Sequence, residues 1–434
     1  MSGVEGERGR RTGGWLCATF RSLRCFNYRM WALGALVSNV GTWMQRTAQD
    51  WIVLTRLTDQ NATAVGIVMA LQFGPQFLLA PLTGAAADRF DRRKLLFATQ
   101  AAMGALALGL GMLTVVGFVR LWHVYAFALL LGCVSAFDAP ARHTFVADLV
   151  EECDVSNAVA LNSTSFNAAR MIGPAIAGVL IASVGSGWVF LINAATFAAV
   201  IASLSVLRER EFRTKRCSTV ERVGFADGLR YVAGRPDLKA ILLMLFLVGT
   251  FGLNFPLFIS AMAVSVFHKG AGEYGLLSSL MAVGSVAGAL VAARRERPRM
   301  ASLLAGAGVF AFSATIAGVL SQYLLFGLAL VVVGVAAQTF TTTANGLVQL
   351  STEPRMRGRV MAIYLAIALG GTPIGAPIVG WVADRFGPRW AIGVGAASGL
   401  AAAVVGVRYL VRHRGLRLRA RGALRPAQSA LSSR

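Results

Sequence analysis

Five charged side chains fall inside long apolar stretches of this chain: Arg46 and Asp50 in one, Asp138 and Arg142 in another, Arg170 in a third. A charge at the centre of a membrane-spanning helix is costly, so it usually faces the protein interior and has a partner. The i,i+4 spacing stacks Arg46 with Asp50, and Asp138 with Arg142, each on one helix face. A carboxylate out of water holds its proton, whereas one beside an arginine gives it up. Asp50, Asp138, Arg46 and Arg170 are therefore the candidates for handling a coupling proton. The competing reading is that both pairs are permanently neutralised bridges. Arg170 is also a candidate for direct contact with a substrate.

The surroundings decide why such residues stand out. The 434 residues are 56% hydrophobic and 14% charged, with a mean hydropathy of +0.62, against about 25% charged in a typical soluble domain. This excludes an ordinary soluble enzyme and a disordered chain. Lys and Arg number 42 against 20 Asp and Glu, a net charge of +22. In a soluble protein that would point to nucleic acid; in a chain this apolar it records loops beside a membrane. The scarcity of lysine and abundance of Ala and Gly read as a GC-rich bacterial genome. Cys17, Cys25, Cys133, Cys153 and Cys217 are odd in number and lack metal-ligand spacing, so neither a disulfide framework nor a metal site is expected.

A membrane crossing takes about 20 apolar residues. Twelve such runs are centred near Gly41, Phe73, Gly104, Leu131, Ile172, Ala195, Phe251, Val283, Val309, Val333, Ala368 and Gly399. The basic segment Arg8 to Arg29 resembles the start of a signal peptide, but the following run is too long, so an uncleaved first helix is expected. Alternating the loops puts 35 of the 42 basic residues on one face, which places both termini in the cytoplasm. The expected organisation is a cytoplasmic tail (1–28), a six-helix bundle (29–207), a cytoplasmic loop (208–238), a second six-helix bundle (239–411) and a basic tail (412–434). Within the loop, Val220 to Lys239 reads as a helix lying on the membrane surface. The basic loops and tail suit anionic lipid better than nucleic acid.

Shifting the chain by 202 residues aligns its halves. Gly132 falls on Gly334, Glu151 on Glu353, Gly173 on Gly375, Gly178 on Gly380, Gly185 on Gly387 and Trp188 on Trp390. Two parallel six-helix repeats are an architecture of secondary transporters.

Two motifs carry a family likeness. Gly84-Ala-Ala-Ala-Asp88-Arg89-Phe-Asp91-Arg92-Arg93-Lys94, between the second and third runs, resembles the loop signature of the major facilitator superfamily, with Asp91 in place of a glycine. Gly173-Pro174-Ala-Ile-Ala-Gly178 resembles the superfamily's antiporter signature, with Ala177 in place of a glycine. The stretches Gly41 to Trp51, Asp138 to Arg142 and Asn157 to Asn162 are similar to its transmembrane secretion effector branch, which includes enterobactin exporters and drug:proton antiporters. The string Ala383 to Arg389 also looks like the loop signature, but the repeat assigns it to an external turn.

The resemblance implies an all-α membrane protein of two pseudo-symmetric bundles. Helices 1, 4, 7 and 10 would line a cavity, bringing in Asp50, Asp138, Asn254 and Gln338, with Gln49, Thr342, Phe137 and Phe340 as further lining candidates. Gly84, Asp88, Arg89, Arg92 and Arg93 would form a cytoplasmic gate, with Arg142 as a partner for Asp88. The implied activity is proton-coupled export of small amphipathic molecules such as drugs, antibiotics or siderophores from a bacterial cytoplasm. The proton gradient would supply the energy, with no bound cofactor, no catalytic residues and a monomeric chain. The alternatives are an uptake carrier or a lipid or metabolite translocator of the same fold, and a non-transporting membrane sensor or scaffold.

Overall fold

The computed structural model describes residues 20–80, 82, 83, 86, 90–208, 225–293, 298–353 and 355–431, with side chains as far as Arg412. All the regular structure among them is helical. Six helices come first: α1 (Phe26–Ile52, continued by a π turn over Val53–Leu57), α2 (Ala62–Leu78), α3 (Arg92–Val116), α4 (Leu121–Asp148), α5 (Val155–Val184) and α6 (Ser186–Val206). A short helix, Phe225–Gly234, leads to α7, which runs over Pro236–Val266 with a non-helical break at Leu253 and Asn254. Then come α8 (Ala271–Ala293), α9 (Met300–Val319), α10 (Tyr323–Ser351), α11 (Arg357–Phe386) and α12 (Pro388–Leu431). Each of the twelve expected span centres lies in its own helix.

The helices begin and end where local chemistry dictates. Asn61 accepts a hydrogen bond from Ala64 N at 2.8 Å and starts α2. Asp91 accepts one from Lys94 N at 2.9 Å and starts α3, so the residue that departs from the loop signature is a helix cap. The surface helix expected over Val220 to Lys239 is split, because Arg235 is extended and Pro236 opens α7. Proline suits that first helical position, where its missing N–H goes unused. The string at Ala383 is the last turn of α11, closed by Gly387.

Ten helices are long and apolar enough to cross a membrane, and α2 is a shorter apolar helix. The remaining helix, α1, is 27 residues long and carries Asn27, Asn39, Gln45, Arg46, Gln49 and Asp50, all buried. Its low hydropathy follows from its burial among other helices, which frees its sequence from having to match lipid.

Two compact units result. The first contains α1–α6 together with Ile259–Ser279; the second contains the short helix, the chain through Phe258, and everything from Leu280. The first is centred on Tyr28, Trp31, Leu96, Ala141, Phe145 and Leu204. The repeat is visible in the backbone. Gly185 and Gly387 end equivalent helices at φ 87° and 101°, a conformation open chiefly to glycine, and their N–H groups bond the equivalent carbonyls of Ile181 and Ala383. Close helix approaches are repeated as well. Gly132 meets the α2 backbone at Leu71 and Gln72, and Gly334 meets α8 at Met281. Gly173 lies against Trp43 and Met44 of α1, and Gly375 against Thr250 of α7.

At Gly375 a Cβ would collide with the Thr250 carbonyl, which is backbone and cannot swing away. Gly375→Val is therefore expected to cost about 1–3 kcal/mol through overpacking, read as a lowered unfolding temperature in detergent. Gly308→Ala, where nothing lies within 4 Å of the added carbon, should be neutral or stabilising.

Candidate functional site

The first unit collects the intramembrane charges, and it treats its two acid–base pairs in opposite ways. Asp138 and Arg142 of α4 close a salt bridge, with Nη2 at 2.9 Å and Nε at 3.0 Å from Oδ2. Gln100 Nε2 donates to Oδ1 at 2.7 Å, and the Thr99 hydroxyl lies 2.8 Å from it, shared with the Leu96 carbonyl. Arg142 Nη1 donates to Asn39 at 3.2 Å, and the guanidinium stands 5.5 Å above the Trp31 ring. Asp138 is 5% exposed, and both of its oxygens are engaged. This is a closed network joining α1, α3 and α4.

Arg46 and Asp50 do not form such a bridge. The Arg46 guanidinium is held between two aromatic rings, 4.9 Å from Trp43 and 4.7 Å from Phe73, a cation–π sandwich. Asp50 is 3% exposed, and both Asp50 Oδ1 and Arg46 Nε are buried without a hydrogen-bond partner. Helix geometry explains the difference. Side chains lean back toward the helix N-terminus, so a long arginine reaches an acid one turn before it. Arg142 leans back onto Asp138, whereas Arg46 leans away from Asp50, onto Trp43. The same orientation rule holds for exposed helix pairs, where the acid is best placed N-terminal to the base.

Above this position Trp51 stacks on Tyr274, with centroids 5.4 Å apart and planes at 22°. Tyr274 is 1% exposed and lies within electrostatic reach of Asp50. Below it, α1 carries a row of amides: Gln49 Oε1 accepts from Gln72 at 3.1 Å and Gln45 Oε1 from Asn193. Gln49 Nε2 has no partner. The antiporter-like motif does packing work beside this row. Gly173 lies against α1, Gly178 lies against Gly275 and the Ala271 carbonyl of α8, and Pro174 sits within the helix between them.

Arg170 stands midway along α5 and is exposed. Among the described residues it makes no hydrogen bond or ion pair. Phe137 is half-buried on α4. From the gate motif, Arg92 chelates Asp148 at 2.8 and 2.7 Å, and Arg93 donates to the Leu204 carbonyl at the end of α6. Gly84, Asp88 and Arg89 lie outside the described residues. Arg142, the expected partner of Asp88, is engaged with Asp138 and Asn39.

In the second unit Asn254 marks the break in α7. It is fully buried and donates to the Thr250 carbonyl at 2.7 Å, while its Oδ1 and the Thr250 hydroxyl are unpartnered. Gln338 donates to Thr342 at 3.2 Å. Thr342 also lines a cavity of about 160 Å³ with Ala292, Pro298, Thr343 and Gly346. Phe340 is fully buried against Gly306 and is core.

Sequence reasoning found the charges but missed the neutral groups around them: Thr99, Gln100 and Asn39, which bond the Asp138–Arg142 pair, and Gln72, Asn193 and Tyr274, which partner Gln49, Gln45 and Trp51. The available signal was an isolated amide in an apolar run, as at Gln72, Gln100 and Asn193.

The family model for transmembrane secretion effectors matches residues 17–424. The chain belongs to that family. It is similar to the staphyloferrin A transporter of Staphylococcus aureus, 25% identical over 80% of this chain and 87% of the relative. It is likewise similar to the multidrug efflux pump Tap of Mycolicibacterium fortuitum, 26% identical over 81% of this chain and 88% of the relative. In fold it resembles the crystal structure of a D-xylose–proton symporter, with a TM-score of 0.71 at 13% identity, covering 88% of this chain and 97% of that one. This secretion effector is thus a multi-pass protein of the bacterial inner membrane with the major facilitator fold. It transports small molecules and is not an enzyme.

Proposed function

We propose that this transporter is a proton-coupled exporter of small amphipathic molecules, such as drugs, antibiotics or siderophores, and that Asp50 carries the coupling proton. The reading rests on one observation: of the two buried intramembrane acids among the described residues, only Asp50 retains an oxygen with no hydrogen-bond partner. A proton can be accepted there without dismantling anything. Protonating Asp138 would break a salt bridge and release an arginine whose side chain is only 11% exposed. Asp138 is then a structural residue, and Arg46 is the fixed counter-charge within electrostatic reach of Asp50. Alternating access carries the Asp50 carboxyl between the two faces of the membrane, the proton gradient supplies the energy, and no bound cofactor is needed. The excess of Arg and Lys in alternate loops supports cytoplasmic termini, with those loops against anionic lipid. Export is supported by the similarity to an efflux pump.

The test is purified protein in liposomes with an imposed pH gradient and a panel of dyes, antibiotics and siderophores. Gradient-driven movement of a cargo away from the face bearing the termini is the expected result. Movement toward that face would make the protein an uptake carrier. No movement of any cargo would leave a sensor or scaffold.

A further inference from the structure

Along the middle of α5, two groups of exposed residues differ in chemistry. Ile172, Ile176 and Val179 form one, apolar throughout and suited to lipid. Ser163, Phe166, Asn167 and Arg170 form another, roughly opposite at about 100° per residue. A charge and an amide at mid-span are costly in lipid, and membrane proteins turn such groups to the bundle interior or to water. Arg170 is its only charge, and no acid or hydrogen-bond acceptor among the described residues neutralises it. Asn167 spends its amide donor on the Ser163 carbonyl at 2.8 Å, leaving its oxygen free. Phe166 is 45% exposed, one turn from Arg170, and meets Trp43 edge-on with centroids 6.0 Å apart. Trp43 is in turn a wall of the Arg46 sandwich. The first unit thus presents an uncompensated guanidinium beside an exposed aromatic surface.

We propose that this face of α5 is the cargo site and that it selects anions: an organic acid bound through its carboxylate or phenolate by Arg170, with its apolar ring system against Phe166. The inference rests on the transporter reading and adds the charge of the cargo to it. Asp50 keeps Arg46 as its own counter-charge, so the cargo's charge falls on a separate arginine. An anion leaving and a proton entering move charge in the same sense, so the membrane potential drives both.

Two xanthene dyes of opposite charge test this, fluorescein (anionic) and rhodamine 6G (cationic). Binding to the full-length purified protein is read by fluorescence anisotropy, and transport in liposomes under a pH gradient. The wild type should bind fluorescein. Arg170→Gln should weaken that binding by about tenfold or more, the loss expected when a charged hydrogen bond is removed, without weakening rhodamine 6G. Arg170→Lys should retain most of the affinity. Asn167→Asp, an exposed change that threatens no packing, should lose about as much as Arg170→Gln by repulsion, and it serves if Arg170→Gln is not recovered folded. Fluorescein binding that neither variant alters overturns the proposal, as does a wild type that binds rhodamine 6G but not fluorescein, or neither dye. Arg170-dependent fluorescein binding with no gradient-driven transport would uphold the anion site and remove the exporter reading. Gradient-driven transport of rhodamine 6G alone would do the reverse.

Discussion

Asp50→Asn is expected to abolish accumulation driven by a pH gradient while leaving exchange of cargo down its own gradient intact. With the membrane potential clamped at zero and one proton exchanged per cargo, a gradient of two pH units sustains about a hundredfold cargo ratio. In the variant that ratio falls to about one. Asparagine preserves the size and most of the polarity of a side chain that is 3% exposed, so the helix and its packing survive and only the exchangeable proton is lost. Arg46 keeps its two aromatic rings, which hold it in place whether or not Asp50 is charged. Counterflow of labelled against unlabelled cargo separates loss of coupling from loss of transport. Counterflow preserved with accumulation abolished is the expected pattern.

Asp138→Asn should fail in a different way. It leaves Arg142, largely shielded from solvent, without its carboxylate, and breaking one side of a buried ion pair costs about 3–5 kcal/mol. Asparagine keeps one acceptor oxygen, so it can serve Arg142 or the pair Gln100 and Thr99 but not both. The expected outcome is a large drop in unfolding temperature and in yield. Removing both charges, as Asp138→Asn with Arg142→Gln, should restore much of that stability, because no isolated charge remains. Thermal unfolding of the two single variants and the double variant forms a double-mutant cycle whose interaction energy reads the bridge directly. The folded fraction of the double variant should still accumulate cargo on a pH gradient.

These contrasting outcomes show what could and could not be read from the amino-acid order. Hydropathy and the 202-residue repeat were legible, because lipid and two-fold symmetry constrain every turn of every helix; Gly185 and Gly387 keep the same backbone angle and the same capping bond. The charged residues were legible by their rarity. Their pairing was not, since i,i+4 spacing alone treats Arg46–Asp50 and Asp138–Arg142 alike. Chain direction distinguishes them: the arginine that follows its acid reaches back to it, and the arginine that precedes its acid leans onto Trp43. The partners Gln100 and Asn39 come from other helices, and no local pattern announces such contacts. The membership of Ile259–Ser279 in the first unit was equally hidden. So was the break at Leu253 and Asn254, where the sequence shows only an asparagine in an apolar run.

The central claim is that the proton travels on Asp50, and cargo-evoked proton flux tests it most directly. Liposomes containing the purified protein and loaded with a trapped pH-sensitive dye report proton movement when cargo is added at equal pH on both sides. The wild type should move protons opposite to the cargo, Asp50→Asn should move cargo with no proton signal, and the Asp138/Arg142 double variant should behave as the wild type. A proton signal of wild-type size from Asp50→Asn would contradict the account.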